Sequence, residues 1–238
     1  MEILWYNIIW IVVIYLIISF LIFFSYIIKS IKISKVAKRF VRYAGSPIIA
    51  FFGDSTGFGV GASNPNKSLA GLVGEKNLRS TIINDCKNGA SIEKTTEISR
   101  KQNYFDILFL CCGGVDVLSL KKYSKIQRDV KELLEIASGK SAQVILITPI
   151  NPGFSLAFPW FLKSFYFNRA KKIGLIIKKE AKSFSNVIVL NNLLIDDTKL
   201  IPSYKTISAS DRIHPNDEGY KWVFKRMKSK IKIKGINL

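Results

Sequence analysis

The chain has 238 residues, enough for one globular domain and an appendage, and 48% of them are apolar. Lys and Arg number 36 against 17 Asp and Glu, a net charge of +19 that suggests an anionic partner, either a membrane surface or nucleic acid, or else lysine as the default surface residue of a Lys-, Ile- and Asn-rich chain. A single histidine, His214, excludes a multi-histidine metal centre. Three cysteines without a CxxC spacing exclude an even disulfide framework.

Residues Ile3 to Ile28 carry no charge and are interrupted only by Asn7, Ser19 and Ser25. As a helix this run measures roughly 39 Å, longer than a hydrocarbon core of about 30 Å. Trp5, Tyr6 and Trp10 near one end and Tyr26 near the other suit interfacial aromatic belts. Glu2 stands where a signal peptide would carry a basic cluster, and no small-residue cleavage site follows. Residues 1–28 therefore read as a retained single-pass transmembrane anchor. Lys29, Lys32, Lys35, Lys38, Arg39 and Arg42 crowd its far side, which by the positive-inside rule places the main domain in the cytoplasm. Residues 29–45 form either an amphipathic helix lying on anionic lipid or a solvated basic linker.

From Ser46 onward short apolar runs alternate with helical segments. Strands are expected over Ile48–Phe52, Ser80–Asn84, Asp106–Cys112, Gln143–Thr148 and Asn186–Leu190. Helices are expected over Lys67–Leu78, Lys122–Ser138, Leu162–Phe184 and Pro215–Lys230. This alternation implies a parallel sheet covered on both faces, a domain spanning residues 46–232 and a basic tail over 233–238. Cys111 and Cys112, adjacent in an apolar strand, read as packing residues. Loop Pro149–Trp160 holds three prolines with aromatic residues behind it, and could wall an apolar pocket, touch the bilayer or fold on its own core.

The first strand ends abruptly in Gly53-Asp54-Ser55, presenting a serine at a strand's carboxyl end, where open α/β sheets place ligands. Gly57, Gly59 and Gly61 follow and would leave room beside the hydroxyl for a substrate. A serine hydroxyl needs a base and the base an orienting group. Only His214 can serve as that base. Asp211 lies three residues before it and can reach back to its Nδ1, with Pro215 opening the last helix.

Four blocks in fixed order, Gly53-Asp54-Ser55, Asn88-Gly89, Gly113-Gly114-Val115-Asp116 and Asp211-Arg212-Ile213-His214-Pro215, resemble those of the SGNH (GDSL-type) hydrolases. The resemblance covers roughly residues 46–230. It implies a three-layer α/β/α sandwich with a flavodoxin-like parallel sheet. It also implies an esterase or lipase activity without metal or cofactor, through an acyl-serine intermediate. Carried over by motif, Ser55 is the nucleophile, His214 the base and then acid, and Asp211 its orienter. The oxyanion would be held by the backbone N–H groups of Ser55 and Gly89. Val115 occupies the position where the family usually has an asparagine donor, and Asn88 and Asn151 are candidate substitutes. Loss of one such donor costs on the order of 3–4 kcal/mol. The expected substrate is a small or lipid ester, and no nucleic-acid partner is expected. The alternatives are acyl or acetyl transfer with the same triad, or a non-catalytic module binding acylated ligands.

Overall fold

The computed structural model describes residues 2–195 and 200–231, with side chains from Trp5 onward. The basic tail expected over 233–238 lies outside the described residues. The elements run α1 (Glu2–Val36), β1 (Ile48–Gly53), α2 (Ser55–Phe58), α3 (Leu69–Lys76), β2 (Thr81–Asn84), α4 (Ile92–Arg100), β3 (Phe105–Cys111), α5 (Gly114–Leu118), α6 (Tyr123–Gly139), β4 (Ser141–Ile147), α7 (Trp160–Ala181), β5 (Val187–Leu190), α8 (Tyr204–Ile207) and α9 (Asp217–Lys230). All five strands are parallel, in the order β2-β1-β3-β4-β5.

The strand alternation sorts the core into two layers. Ala50, Phe52, Leu108, Leu110, Val144 and Leu146 point to one face, where α4, α6 and α7 cover them. Ile49, Phe51, Ile107, Phe109, Ile145 and Ile147 point to the other, under α3 and α9. Phe51 and Phe109 stack across neighbouring strands at 4.5 Å. The architecture is thus a three-layer α/β/α sandwich preceded by one long apolar helix. The central strands β1, β3 and β4 carry near-continuous apolar residues because both of their faces are buried, while the edge strands β2 and β5 are half-buried.

Helix α1 is long and apolar enough to cross a membrane by length and composition. It runs unbroken through Lys29, Lys32 and Lys35 to Val36, so the basic segment 29–45 is neither one amphipathic helix nor one solvated linker. Its second half folds against the domain. Arg42 bridges antiparallel to Ile82 on the outer edge of β2, and its guanidinium donates to the carbonyls of Gly74, Asn77 and Ser80. Arg39 donates to the Asn84 carbonyl at 2.8 Å and pairs with Asp85. Carbonyls at the ends of α3 and β2 recruit these two arginines, which are therefore committed to protein partners.

Candidate active site

The site is assembled at the carboxyl edge of the sheet, from the segments that leave β1, β2, β3 and β4 and from the turn before α9. At the end of β1, Gly53 has φ +139° and lies so near β3 that a Cβ would sit 1.9 Å from the Cys111 carbonyl oxygen. Only glycine fits this close passage. Asp54 then caps α2, its Oδ1 accepting the Thr56 N–H at 2.8 Å. Ser55 is the first residue of α2, half-buried, with its hydroxyl facing the cleft.

The other half of the site comes from the tight turn Ala209–Pro215. Arg212 adopts φ 58°, an uncommon conformation for a residue with a Cβ. This bend wraps the chain around the Asp211 carboxylate, whose Oδ1 accepts the N–H groups of Ile213 at 3.0 Å and His214 at 3.1 Å. Asp211 Oδ2 meets His214 Nδ1 at 2.6 Å, and His214 Nε2 lies 2.8 Å from Ser55 Oγ. Residues 159 positions apart therefore form one continuous hydrogen-bonded relay. Asp211 is fully buried, which alone would raise its pKa; the hydrogen bond and charge of His214 and the two N–H donors outweigh burial and hold it below the usual carboxylate range.

Burial acts differently on Asp54. With no cationic partner in contact, its carboxyl is pushed up to about 6, against the downward pull of the Thr56 N–H and the nearby His214. The three cysteines are all free and buried, and burial raises each thiol, consistent with inert packing.

A cavity of about 250 Å³ opens beside Ser55 and His214. Asn88 and Gly89 line it from the loop after β2, Gly114 and Val115 from the head of α5, and Pro149, Ile150 and Phe158 from the loop after β4. The backbone N–H groups of Ser55 and Gly89 have no acceptor among the described residues. Val115 lines the cavity and offers no side-chain donor. Asn88 does line it, with its Nδ2 donating to the Ser34 carbonyl of α1 at 3.2 Å. Asn151, the other substitute considered, is fully buried and spent elsewhere. It donates to the carbonyls of Phe167 and Leu193 and accepts from the Gly153 N–H, so it shapes the loop.

The glycines after Ser55 do not clear space for a substrate. A Cβ on Gly57 would meet Cys86 Sγ at 2.5 Å, and one on Gly61 (φ +92°) would meet the Pro215 carbonyl oxygen at 2.2 Å. They let the loop pack against β3 and against the turn that bears His214. Tyr220, buried in α9, fixes the same loop by donating from its hydroxyl to the carbonyls of Thr56 and Val60. The position of α5 depends on Arg169 of α7, whose buried guanidinium donates to the carbonyls of Asp116, Val117 and Lys121. Neither Tyr220 nor Arg169 has a local sequence signature; each acts on partners far along the chain.

A family model described as the GDSL-like lipase/acylhydrolase family matches residues 51–222. No curated protein matches the chain. Among solved structures, a lipolytic protein of the G-D-S-L family from Veillonella parvula DSM 2008 is 17% identical. Its TM-score is 0.55, covering 77% of this chain and 97% of its own. The lipase/acylhydrolase from Enterococcus faecalis is 19% identical with a TM-score of 0.57, covering 79% and 99%. The salicylyl-acyltransferase SsfX3 from a tetracycline biosynthetic pathway is 14% identical, TM-score 0.53, covering 79% and 55%. These structures share the fold. The match over residues 51–222 spans most of the chain and takes in Ser55, Gly89, Asp211 and His214, and the chain belongs to the GDSL-like lipase/acylhydrolase family.

Proposed function

We propose that this chain is a membrane-anchored serine hydrolase that cleaves carboxylic esters in two steps through an acyl-Ser55 intermediate. The observation that carries the reading is the relay of 2.8 Å and 2.6 Å from Ser55 through His214 to Asp211. His214 Nε2 takes the hydroxyl proton as Ser55 Oγ attacks the ester carbonyl, and the same proton then leaves with the alcohol. Water, activated by the same imidazole, cleaves the acyl-serine and frees the acid. Asp211 holds the imidazole in the tautomer with Nε2 free to accept, and stabilises the imidazolium that forms. The backbone N–H groups of Ser55 and Gly89 stabilise the oxyanion. Asn88 lines the same cavity, but its Nδ2 donates to the Ser34 carbonyl, so the N–H groups of Ser55 and Gly89 are the two donors we assign to the oxyanion.

The length and apolarity of α1 and its lysine-flanked carboxyl end support a single-pass anchor with the domain on the cytoplasmic side. The anchor should survive in the mature protein and resist alkaline carbonate extraction. Incubating the full chain with a fluorophosphonate probe should label wild type and leave Ser55→Ala unlabelled. Folded wild-type protein that takes no label would overturn the hydrolase reading. Transfer to an alcohol acceptor uses the same acyl-serine, and an acyltransferase shares the fold. Product analysis with added alcohols would separate transfer from hydrolysis.

A further inference from the structure

Helix α1 does more in the fold than its apolar length requires. From Leu16 onward its half-buried residues recur at a three- and four-residue spacing: Leu16, Ser19, Phe23, Tyr26 and Ile27, Ser30, Ile33 and Ser34. That period puts them on one stripe of the helix. The stripe faces the domain. Phe20, beside it, meets Phe161 edge-on at 6.1 Å, and Phe23 meets Phe158 at 5.5 Å. Ile27, Ser30 and Ser34 line the cavity that contains Ser55 and His214. Among the described residues, then, the wall opposite the catalytic loop is built by the apolar helix.

Depth along this helix can be read from its charges. Lys29 is the first basic residue and marks where the helix can reach the polar boundary of a bilayer. Phe20 lies nine residues before it, roughly 13 Å deeper along the axis. The ring contact with Phe161 therefore carries the loop after β4 toward the hydrocarbon. On that loop and the first turns of α7, Leu156, Trp160 and Phe165 are exposed, Trp160 at 68%. Such a cluster of exposed apolar side chains marks an interaction surface. Along the stripe itself the chemistry changes from Phe23 and Ile27 to the hydroxyls of Ser30 and Ser34, at the level where the cavity meets Ser55.

We propose that α1 forms one wall of the substrate site and that the substrate is an acyl ester drawn from the bilayer. Its chain lies between Phe23, Ile27 and Phe158, and its ester and polar head lie beside Ser30, Ser34 and Ser55. This deepens and rests on the hydrolase reading above. Its order of polarity matches that of a glycerolipid, whose ester bonds sit at the boundary between acyl chains and head groups. The step is the one already described: the acyl carbonyl passes to Ser55 Oγ, and the lyso-lipid alcohol departs with the proton from His214.

Two measurements on the full chain in phosphatidylcholine–phosphatidylglycerol vesicles test the proposal. With a phospholipid bearing a diazirine on its acyl chain, Ser55→Ala should cross-link at Phe23, Ile27 and Phe158. Adding Ile27→Trp should cut that labelling at least five-fold. Labelling confined to the outward residues Ile28 and Ile31 would overturn it, and this readout stands whether or not the chain turns over esters. In the second measurement, Ile27→Trp should lower the ratio of vesicle-lipid turnover to p-nitrophenyl acetate turnover at least ten-fold. An unchanged ratio, or a wild type that cleaves the soluble ester and spares the vesicle lipid, would overturn it. Failure of the fluorophosphonate reaction would instead remove the hydrolase reading, with the cross-links still deciding where the lipid lies.

Discussion

One carboxylate does three things for His214: Asp211 Oδ2 meets its Nδ1 at 2.6 Å, and Oδ1 accepts the N–H of His214 and of the preceding Ile213. The ring is thereby fixed in tautomer and its backbone in position. Asp211→Asn keeps an oxygen for the backbone donors and can present an N–H to Nδ1, which places the imidazole proton on Nε2. Turnover of p-nitrophenyl acetate should drop about 10³–10⁴-fold with little change in KM. A loss below ten-fold would remove Asp211 from the relay.

Gly61 packs its α-carbon against the turn that carries His214. Gly61→Ala would place a Cβ 2.2 Å from the Pro215 carbonyl oxygen and 3.2 Å from the His214 Cβ, on a backbone with φ +92°. The turn must shift, so kcat should fall at least ten-fold and the folded state should lose about 1–3 kcal/mol. Gly139→Ala is the matched comparison. Nothing lies within 4 Å of its added Cβ, and it should leave both quantities near wild type.

Val115 supplies no donor where the cavity would hold an oxyanion. Val115→Asn should raise kcat on a soluble ester about ten-fold or more, since one such donor is worth about 10²–10³ in rate. An unchanged kcat would mean that the third position is already filled. Asn88→Ala should then show it by a comparable loss.

Asp54 makes stability fall as pH rises. Its carboxyl titrates at about 6 in the folded chain and at its ordinary 3.8 when exposed. Between these values the folded state binds more protons than the unfolded one, so the native state is favoured most below pH 4 and loses that advantage through pH 6. A shift of this size corresponds to about 3 kcal/mol. Asp54→Asn keeps an acceptor for the Thr56 N–H and carries no charge. Its Tm should exceed wild type at pH 8, with the gap closing toward pH 4. A gap independent of pH would argue against a titrating Asp54.

The strands were legible because each is a short apolar run, the central ones buried on both faces, and the relay because the chain has one histidine to offer. Helix α4 left no such trace. Its buried face is Ile92, Thr95, Thr96 and Ser99, and the three hydroxyls bond back to carbonyls of Ser91, Ile92 and Thr95. Polar by composition and buried in fact, that face defeats a reading based on hydrophobic period. Gly57 and Gly61 pack against protein and not against substrate, a role hidden in the sequence for a related reason: small size says that something is close and cannot say what. The stripe of α1 was hidden because, over residues 16–28, nearly every residue around it is apolar too.

The crossing from α1 into the domain has a practical consequence. Parallel β2 ends the sheet, and an uncovered outer strand offers its N–H and C=O groups to any second chain. Here Arg42 and Gly45 occupy that row, with Arg42 exchanging hydrogen bonds with Ile82 and the Gly45 carbonyl accepting from Thr81. Phe40 meanwhile fills the space beside Gly74. Cutting the chain after residue 44 to free the domain from lipid would strip this cover and invite copies to pair edge to edge. A soluble form should begin no later than Ala37, where the helix has ended and the clasp on β2 has yet to start.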